Sequence, residues 1–338
     1  MIINATHIGR RLDGIGRFSL LLAKFFLKEY KIIINESAKI HFSEEELEYL
    51  IIVKDSLSPD YGFKGHLKRL LFTNKLKDRV LNLSQLEINF FNKKQIIVIH
   101  DIIPLLFPKY HKKQYHFFKY ILPIILKRLN IIITVSFHTK QLLVKYYNLN
   151  PDNIYVIHNG IELPLVHENI QKENYILFVG RDSPTKNIDN LIKAFNNIQS
   201  KEYKLYLVGV NRKFDNSNIK SLGYVSDEEL DILYRKAQIF ILPSLYEGFG
   251  YPVIEAMARK TAVITSNVSS LPEICGDCAV YIDPNDINDI TMKIDNLILD
   301  KEKRNILEET GFIRAKQFSL ENMLYKYKEF LDEKSSCL

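Results

Sequence analysis

From Asn174 onward, short apolar runs alternate with amphipathic stretches, and this alternation limits the possible folds more than any other feature of the chain. The runs Tyr175–Val179, Leu205–Val208, Ile239–Leu242, Ala262–Thr265 and Val280–Ile282 read as strands. Between them, Asn187–Ile198, Asp227–Ala237 and Pro252–Arg259 carry helical periodicity, with Ile188, Leu191, Ile192 and Phe195 on one face of the first. Strand and helix in strict alternation with short connections imply βαβ units and a parallel sheet. Ligands on such sheets bind beyond the carboxyl ends of the strands. The first half has the same character, with a strand at Ile2–Ala5, a loop through Asp13-Gly14-Ile15-Gly16 and a helix at Arg17–Tyr30. Ile96–Ile99 and Ile131–Val135 suit buried parallel strands. Residues 40–92 carry no pattern that assigns them. A chain of 338 residues suits two domains, and Ile161–Asn174, with Pro164, is the expected linker. Glu321–Glu333 reads as a terminal helix.

Composition serves mainly to exclude. At 46% hydrophobic and 25% charged, the chain is globular rather than disordered or fibrous. The most apolar stretches, Ile96–Phe107 and Tyr120–Phe137, are broken by His100, Asp101, Lys127, Arg128 and Asn130, too early for a membrane span. Asn4, His7, Arg10 and Arg11 interrupt any secretory signal, and three cysteines fit a reducing compartment, so a cytoplasmic location is expected. Charge is uneven: residues 1–163 hold 24 Lys and Arg against 14 Asp and Glu, a net of +10, and the remainder 22 against 26, a net of −4. The basic half could meet an anionic membrane, a lipid phosphate or nucleic acid, or could be a set of solvated lysines.

Three segments at expected strand ends carry chemistry. In Pro243-Ser-Leu-Tyr-Glu-Gly-Phe-Gly-Tyr-Pro252, Gly248 and Gly250 form a loop and Pro252 suits the first turn of a helix. The unbonded N–H groups at such a helix start attract phosphate or sugar oxygens. Glu247 and Glu255 can accept hydrogen bonds from pairs of sugar hydroxyls; read blandly, the loop only satisfies turn geometry. In Gly180-Arg-Asp-Ser-Pro-Thr-Lys186, two cations precede a helix N-terminus, a conflict that a bound diphosphate would resolve. His100-Asp101 and Ser136 each follow a strand, where packing or capping is the ordinary role.

Together these residues resemble glycosyltransferase family 4. Glu247 and Glu255 have the Glu-x7-Glu spacing of its retaining enzymes, and Asp13-Gly-Ile-Gly-Arg17, His100-Asp-Ile-Ile-Pro-Leu-Leu-Phe-Pro108, Thr134-Val-Ser136, Asn159-Gly160, Gly180-Arg181, Lys186-Asn187, Ser269-Ser-Leu-Pro-Glu273 and Phe318-Ser319 match in the family's order. The resemblance implies a GT-B fold: two Rossmann-like α/β domains facing a central cleft, the C-terminal helix crossing back to the N-terminal domain. Residues 1–163, with 318–338 packing back, would form the acceptor-side domain, and residues 164–317 the nucleotide-sugar-binding domain. Arg181 and Lys186 would hold the donor diphosphate, Glu255 the ribose, and Glu247 the hexose, assisted by Gly248, Phe249 and Gly250. His100 would contact the transferred sugar. Gly14, Gly16, Ser136 and Gly180 would line the donor, and Leu222, Gly223, Tyr224 and Val225 the base.

The implied reaction retains configuration and moves a hexose from a nucleotide-sugar, GDP-mannose or a UDP-hexose, to a glycan or lipid-linked acceptor in cell-surface polysaccharide synthesis. No Asp-x-Asp occurs, so metal independence and no cofactor are expected. Lys109–Tyr120 and Lys64–Arg79 are candidates for contact with the inner face of an anionic membrane. Two other readings compete. A non-catalytic sugar-nucleotide-binding protein of the same fold is disfavoured by the presence of the whole set His100, Arg181, Lys186, Glu247 and Glu255. A nucleic-acid-binding protein is permitted by the basic half, yet no recognised binding module occurs. Asp13-Gly-Ile-Gly-Arg-Phe-Ser19 only echoes a dinucleotide fingerprint, because Ser19 stands where a small apolar residue belongs. Cys275-Gly-Asp-Cys278 lacks a second pair, with Cys337 far away, and reads as packing.

Overall fold

A computed structural model describes residues 1–164 and 170–334. The chain divides into two compact units, one of Met1–Gly160 with the chain from Met323 onward, the other of Ile161–Asn322. Within the expected linker, residues 165–169 lie outside the described residues, as does Cys337.

The first unit is built on seven parallel strands: β1 (Ile2–Asn4), β2 (Lys31–Asn35), β3 (Leu50–Val53), β4 (Val80–Asn82), β5 (Gln95–Ile99), β6 (Ile132–Thr134) and β7 (Ile154–Val156). Their spatial order is β3-β2-β1-β4-β5-β6-β7, so the direction of progression reverses between β1 and β4. The central strands are apolar on both faces because helices cover both. Ile97, Ile99 and Ile132 pack with Phe118, Leu122 and Leu143 from those helices into one core.

Two expectations are corrected here. The first helix spans Gly14–Phe25 rather than Arg17–Tyr30, because the Asp13 carboxylate accepts from the Gly16 N–H at 2.9 Å and caps it. Gly14 and Gly16 therefore lie in its first turn, not in a loop, and neither adopts positive φ. Residues 40–92, left without pattern above, contain β3, the helix Gly62–Thr73 and β4. The three-residue β4 is too short to show a period, and β3 is an edge strand with Ile51 and Ile52 exposed, which hides the usual alternation. The terminal helix Leu320–Lys334 buries Tyr327 against Phe18 and sets Phe330 beside Tyr155, with ring centroids 5.9 and 4.9 Å apart. Lys328 pairs with Glu29 at 2.6 Å.

The second unit has six parallel strands: β8 (Glu173–Val179), β9 (Lys204–Val208), β10 (Ile219–Gly223), β11 (Ala237–Leu242), β12 (Ala262–Ser266) and β13 (Val280–Ile282). Their order is β10-β9-β8-β11-β12-β13, and progression reverses between β8 and β11. Helices at Ile188–Asn197, Asp227–Lys236 and Tyr251–Ala258 fall where the periodicity places them. The second opens with a capping box of Ser226 and Glu229 and closes with Arg235 and Lys236, in accord with the helix dipole. Strand β10 was not expected, since Lys220, Ser221 and a register shift between Ser221 and Gly223 interrupt its apolar pattern. Leu222 and Gly223 thus belong to a strand, and Tyr224 and Val225 lie just past its carboxyl end.

Where β8 and β9 end, the backbones nearly touch. Gly209 has φ +81°, and a Cβ there would lie 2.5 Å from the Gly180 carbonyl oxygen. Gly209→Ala should therefore destabilise the chain by roughly 2 kcal/mol, combining left-handed strain with the clash. Urea unfolding should show a lower midpoint at unchanged slope; a midpoint equal to wild type would refute the close approach.

Candidate active site

The loops after β8 and β11 emerge side by side because those strands are neighbours where the sheet order reverses. From the first come Gly180, Arg181 and Lys186; from the second come Glu247, Gly248, Phe249 and Gly250. Lys186 Nζ donates to Glu247 Oε1 at 2.5 Å, and both side chains are mostly buried. Ser244 Oγ donates to the same carboxylate oxygen at 2.6 Å. A second tie crosses the loops where the Leu245 N–H meets the Thr185 carbonyl at 2.8 Å. Asn187, left-handed at φ 58°, sends its amide to the carbonyls of Pro243 (3.1 Å) and Pro284 (2.6 Å). These contacts join the ends of β8, β11 and β13.

Glu255 lies in the helix Tyr251–Ala258 and accepts from the buried Tyr234 hydroxyl at 2.9 Å, which fixes its orientation. Arg181 is exposed. Its loop is braced by Arg212, which donates to Asp182 from Nε at 2.6 Å and from Nη2 at 2.5 Å and also pairs with Asp189. The hydrogen bonds to the two carboxylates, led by Asp182, raise the Arg212 pKa above its ordinary value. Gly250 has φ +107°, open to glycine, and a Cβ there would lie 3.0 Å from Leu271 Cδ2. Tyr224 is 78% exposed beyond β10.

In the first unit, His100 follows β5 and is buried. Its Nε2 lies 2.8 Å from the Leu83 carbonyl, which can only accept, so Nε2 carries the proton and Nδ1 is the acceptor. The Phe18 ring meets the imidazole edge-on at 4.8 Å. Burial, the largest cause, pushes the His100 pKa down to about 4; nearby His7 lowers it further, while the Leu83 bond and Asp13 oppose the shift. Ser136 is buried as the N-cap of the helix Phe137–Tyr147, its Oγ accepting from the Thr139 N–H at 3.1 Å. Gly16 is similarly tight, with a hypothetical Cβ 3.3 Å from Leu12 Cδ2.

Residues without an assigned role in the sequence also meet here. His7, after β1, places Nδ1 2.6 Å from Glu87, after β4, and Nε2 2.6 Å from Ser19. Arg69 lies 3.1 Å from the other Glu87 oxygen. The hydroxyl of Ser19 thus explains why a small apolar residue is absent from that position. Arg212 and Tyr234 had no motif to mark them, whereas Ser244, Ser269 and Ser270 belong to segments singled out in the sequence. Cys275 is buried, and burial raises its thiol pKa. Among the described residues no group of three or more His, Cys, Asp or Glu side chains is placed to hold a metal, and no helix is long and apolar enough to cross a membrane.

Two family models match the chain: glycosyl transferases group 1 over residues 164–314 and glycosyltransferase family 4 over residues 81–164. O-antigen chain mannosyltransferase B of Escherichia coli is 33% identical, covering 95% of this chain and 96% of that protein. The O-antigen chain mannosyltransferase RfbU of Salmonella typhimurium is 31% identical over 85% and 87%. Among solved structures, WaaG, a glycosyltransferase involved in lipopolysaccharide biosynthesis, superposes with a TM-score of 0.75 at 14% identity, covering 98% of this chain and 99% of that one. Anabaena HepE, solved with UDP and glucose, gives 0.76 at 16% identity with the same coverage. The two parallel-sheet units therefore make a GT-B fold.

Burial of His100 has a measurable acid signature. Unfolded histidine takes up a proton near pH 6.5, and folded His100 only near 4. Between those values the unfolded state binds the extra proton, so stability falls as pH drops from 6.5 towards 4, by on the order of 3 kcal/mol in total. His100→Asn should flatten that part of the pH dependence of the thermal midpoint; an unchanged acid slope would show that His100 is not the buried neutral group.

Proposed function

Because the chain belongs to glycosyltransferase family 4, with O-antigen mannosyltransferases among its relatives, we propose that it transfers mannose from GDP-mannose to a lipid-linked glycan, with retention of configuration and without a metal ion. The observation that carries this reading is the contact of Lys186 with Glu247 at 2.5 Å across the β8 and β11 loops, with Glu255 in the helix that follows the second loop. A cation and two carboxylates held in this way match a donor with a diphosphate in its middle and sugar hydroxyls on both sides of it.

Arg181 and Lys186 hold the diphosphate and stabilise the charge that gathers on it as the glycosidic bond breaks. Fixed cations so placed supply the neutralisation that a divalent ion gives elsewhere. Glu247 accepts hydrogen bonds from the hexose and Glu255 from the ribose. Gly180 and the Gly248–Gly250 backbone line the phosphates, while Leu222–Val225 border the base. His100, neutral, offers Nδ1 as an acceptor to a hydroxyl of the transferred sugar, and Gly14, Gly16 and Ser136 shape the surrounding backbone. The bond from the anomeric carbon to the phosphate oxygen breaks, and the bond to the acceptor oxygen forms on the same face. The acceptor's proton passes to the departing phosphate oxygen.

A second donor class, a UDP-hexose, is favoured by one observation, the UDP and glucose bound to HepE. The acceptor is reached at an anionic membrane face. Lys112, Lys113 and Lys119 are exposed beside Tyr120 and Ile124 on the helical run of residues 112–126, and Lys64 and Lys68 beside Leu67 and Leu71 on the helix Gly62–Thr73. Cations beside exposed apolar side chains suit an interfacial contact.

Thermal unfolding against GDP-, UDP-, dTDP- and ADP-sugars, with EDTA present, tests the donor. GDP-mannose at 100 times its dissociation constant should stabilise the fold by about 2.7 kcal/mol. Glu255→Ala should weaken binding by about 1.5–3 kcal/mol, roughly 10- to 150-fold, and Arg181→Ala should lower turnover by about 10²–10³. A shift by UDP-sugars alone would replace the donor, and no shift with any donor would count against sugar-nucleotide binding and hence against the transferase reading. Co-sedimentation with vesicles containing anionic phosphatidylglycerol should fall as salt rises; equal binding to neutral vesicles would remove the electrostatic part.

A further inference from the structure

The turn after β12 contains a residue whose conformation does not match its type. Ser269 has φ +59°, in the left-handed region that glycine occupies readily and most other residues avoid. Among the described non-glycine residues at positive φ, Asn148 and Asn187 are of the type that tolerates it, which leaves Lys260 and Ser269. What the side chain does lies on the neighbouring loop.

The Ser269 hydroxyl donates to the Val268 carbonyl at 2.6 Å and accepts from the Glu247 N–H at 3.0 Å. The buried Ser270 hydroxyl shares its proton between the carbonyls of Glu247 (3.0 Å) and Phe249 (2.9 Å). Consecutive serines thus grip both the N–H and the C=O of one residue, the residue whose carboxylate contacts Lys186. The next residue, Leu271, stands against Gly250, so the same turn backs the whole stretch from Glu247 to Gly250. A glycine at 269 would satisfy the turn and leave the Glu247 N–H without that acceptor.

We propose that Ser269 is a positioning residue: its hydroxyl aims Glu247 at the donor sugar, and the backbone strain of a serine in this conformation is retained for that purpose. The inference rests on the donor-site reading above.

Two substitutions separate strain from hydroxyl. Ser269→Ala removes the hydroxyl and keeps the strain; Ser269→Gly removes both. Without ligand, Ser269→Gly should melt above Ser269→Ala by about 2–4 °C, the size expected when roughly 1 kcal/mol is relieved in a domain of 150–250 residues. With donor and acceptor, both variants should lose about 5- to 10-fold in kcat, the equivalent of one hydrogen bond of about 1 kcal/mol. KM for the donor should change less, because the contact matters most as the sugar departs. Ser269→Gly that melts above Ser269→Ala and is nevertheless as slow ties the loss of kcat to the missing hydroxyl rather than to lost stability. Ser269→Gly melting at or below Ser269→Ala would refute the strain, and full kcat in Ser269→Gly would refute the positioning role. Wild-type protein that neither binds nor turns over any sugar nucleotide would overturn the donor-site reading, and this inference with it.

Discussion

Each sheet reverses its order once, and the site chemistry of each unit follows from that reversal. Between β8 and β11 the connections leave in opposite directions, so the two loops face each other with no helix between them. The Lys186–Glu247 contact closes this gap in the second unit. In the first unit the reversal falls between β1 and β4, and there His7, after β1, meets Glu87, after β4, at 2.6 Å. A polar contact spans the equivalent crevice twice, built from unrelated residues.

The two contacts differ in their surroundings. Glu87 is wholly buried, with Arg69 and His7 on its two oxygens and Ser19 completing the chain. A carboxylate so deep is costly unless every partner is present. The arrangement therefore ties the helix Gly62–Thr73, through Arg69, to the first turns of the helix Gly14–Phe25, through Ser19. Lys186 and Glu247 keep some exposure, at 18% and 12% of their side chains. Their pairing can yield to a ligand that offers charge to the lysine and hydroxyls to the carboxylate, whereas the Glu87 cluster has no such room.

Legibility in the sequence followed burial and length. In the second unit β8, β9, β11 and β12 are five to seven residues long and mostly buried, so apolar runs mark them. Strand β10 escaped because its bulge and its Lys220 and Ser221 break the pattern. Residues 40–92 escaped because β3 is an exposed edge and β4 has three residues. Glu247, Glu255 and Lys186 stood out as candidates by type and spacing, in the loops that follow β8 and β11 and in the helix after the second. Their supports did not. Tyr234, Arg212 and Ser269 come from other loops and helices, and only the fold brings them to the residues they hold. The start of the first helix was misplaced for a related reason: Asp13 and two glycines look like a loop until the capping bond to the Gly16 N–H is seen.

The basic excess of the first half lies apart from its buried polar cluster. Lys64, Lys68, Lys112, Lys113, Lys119 and Lys127 are exposed, while the interior holds the shielded Arg69 and a histidine that burial keeps neutral. Cations buried in that interior would carry a heavy desolvation cost. Placed on exposed helices beside Leu67, Leu71, Tyr120 and Ile124, they retain their hydration and act at a distance set by ionic strength. The second half shows the opposite arrangement, acidic in total, with Lys186 mostly buried against Glu247. Net charge and site charge therefore have separate physical roles in this chain. The long-range field of one half suits attraction to an anionic surface, and the short-range cations of the other suit stabilisation of a leaving group.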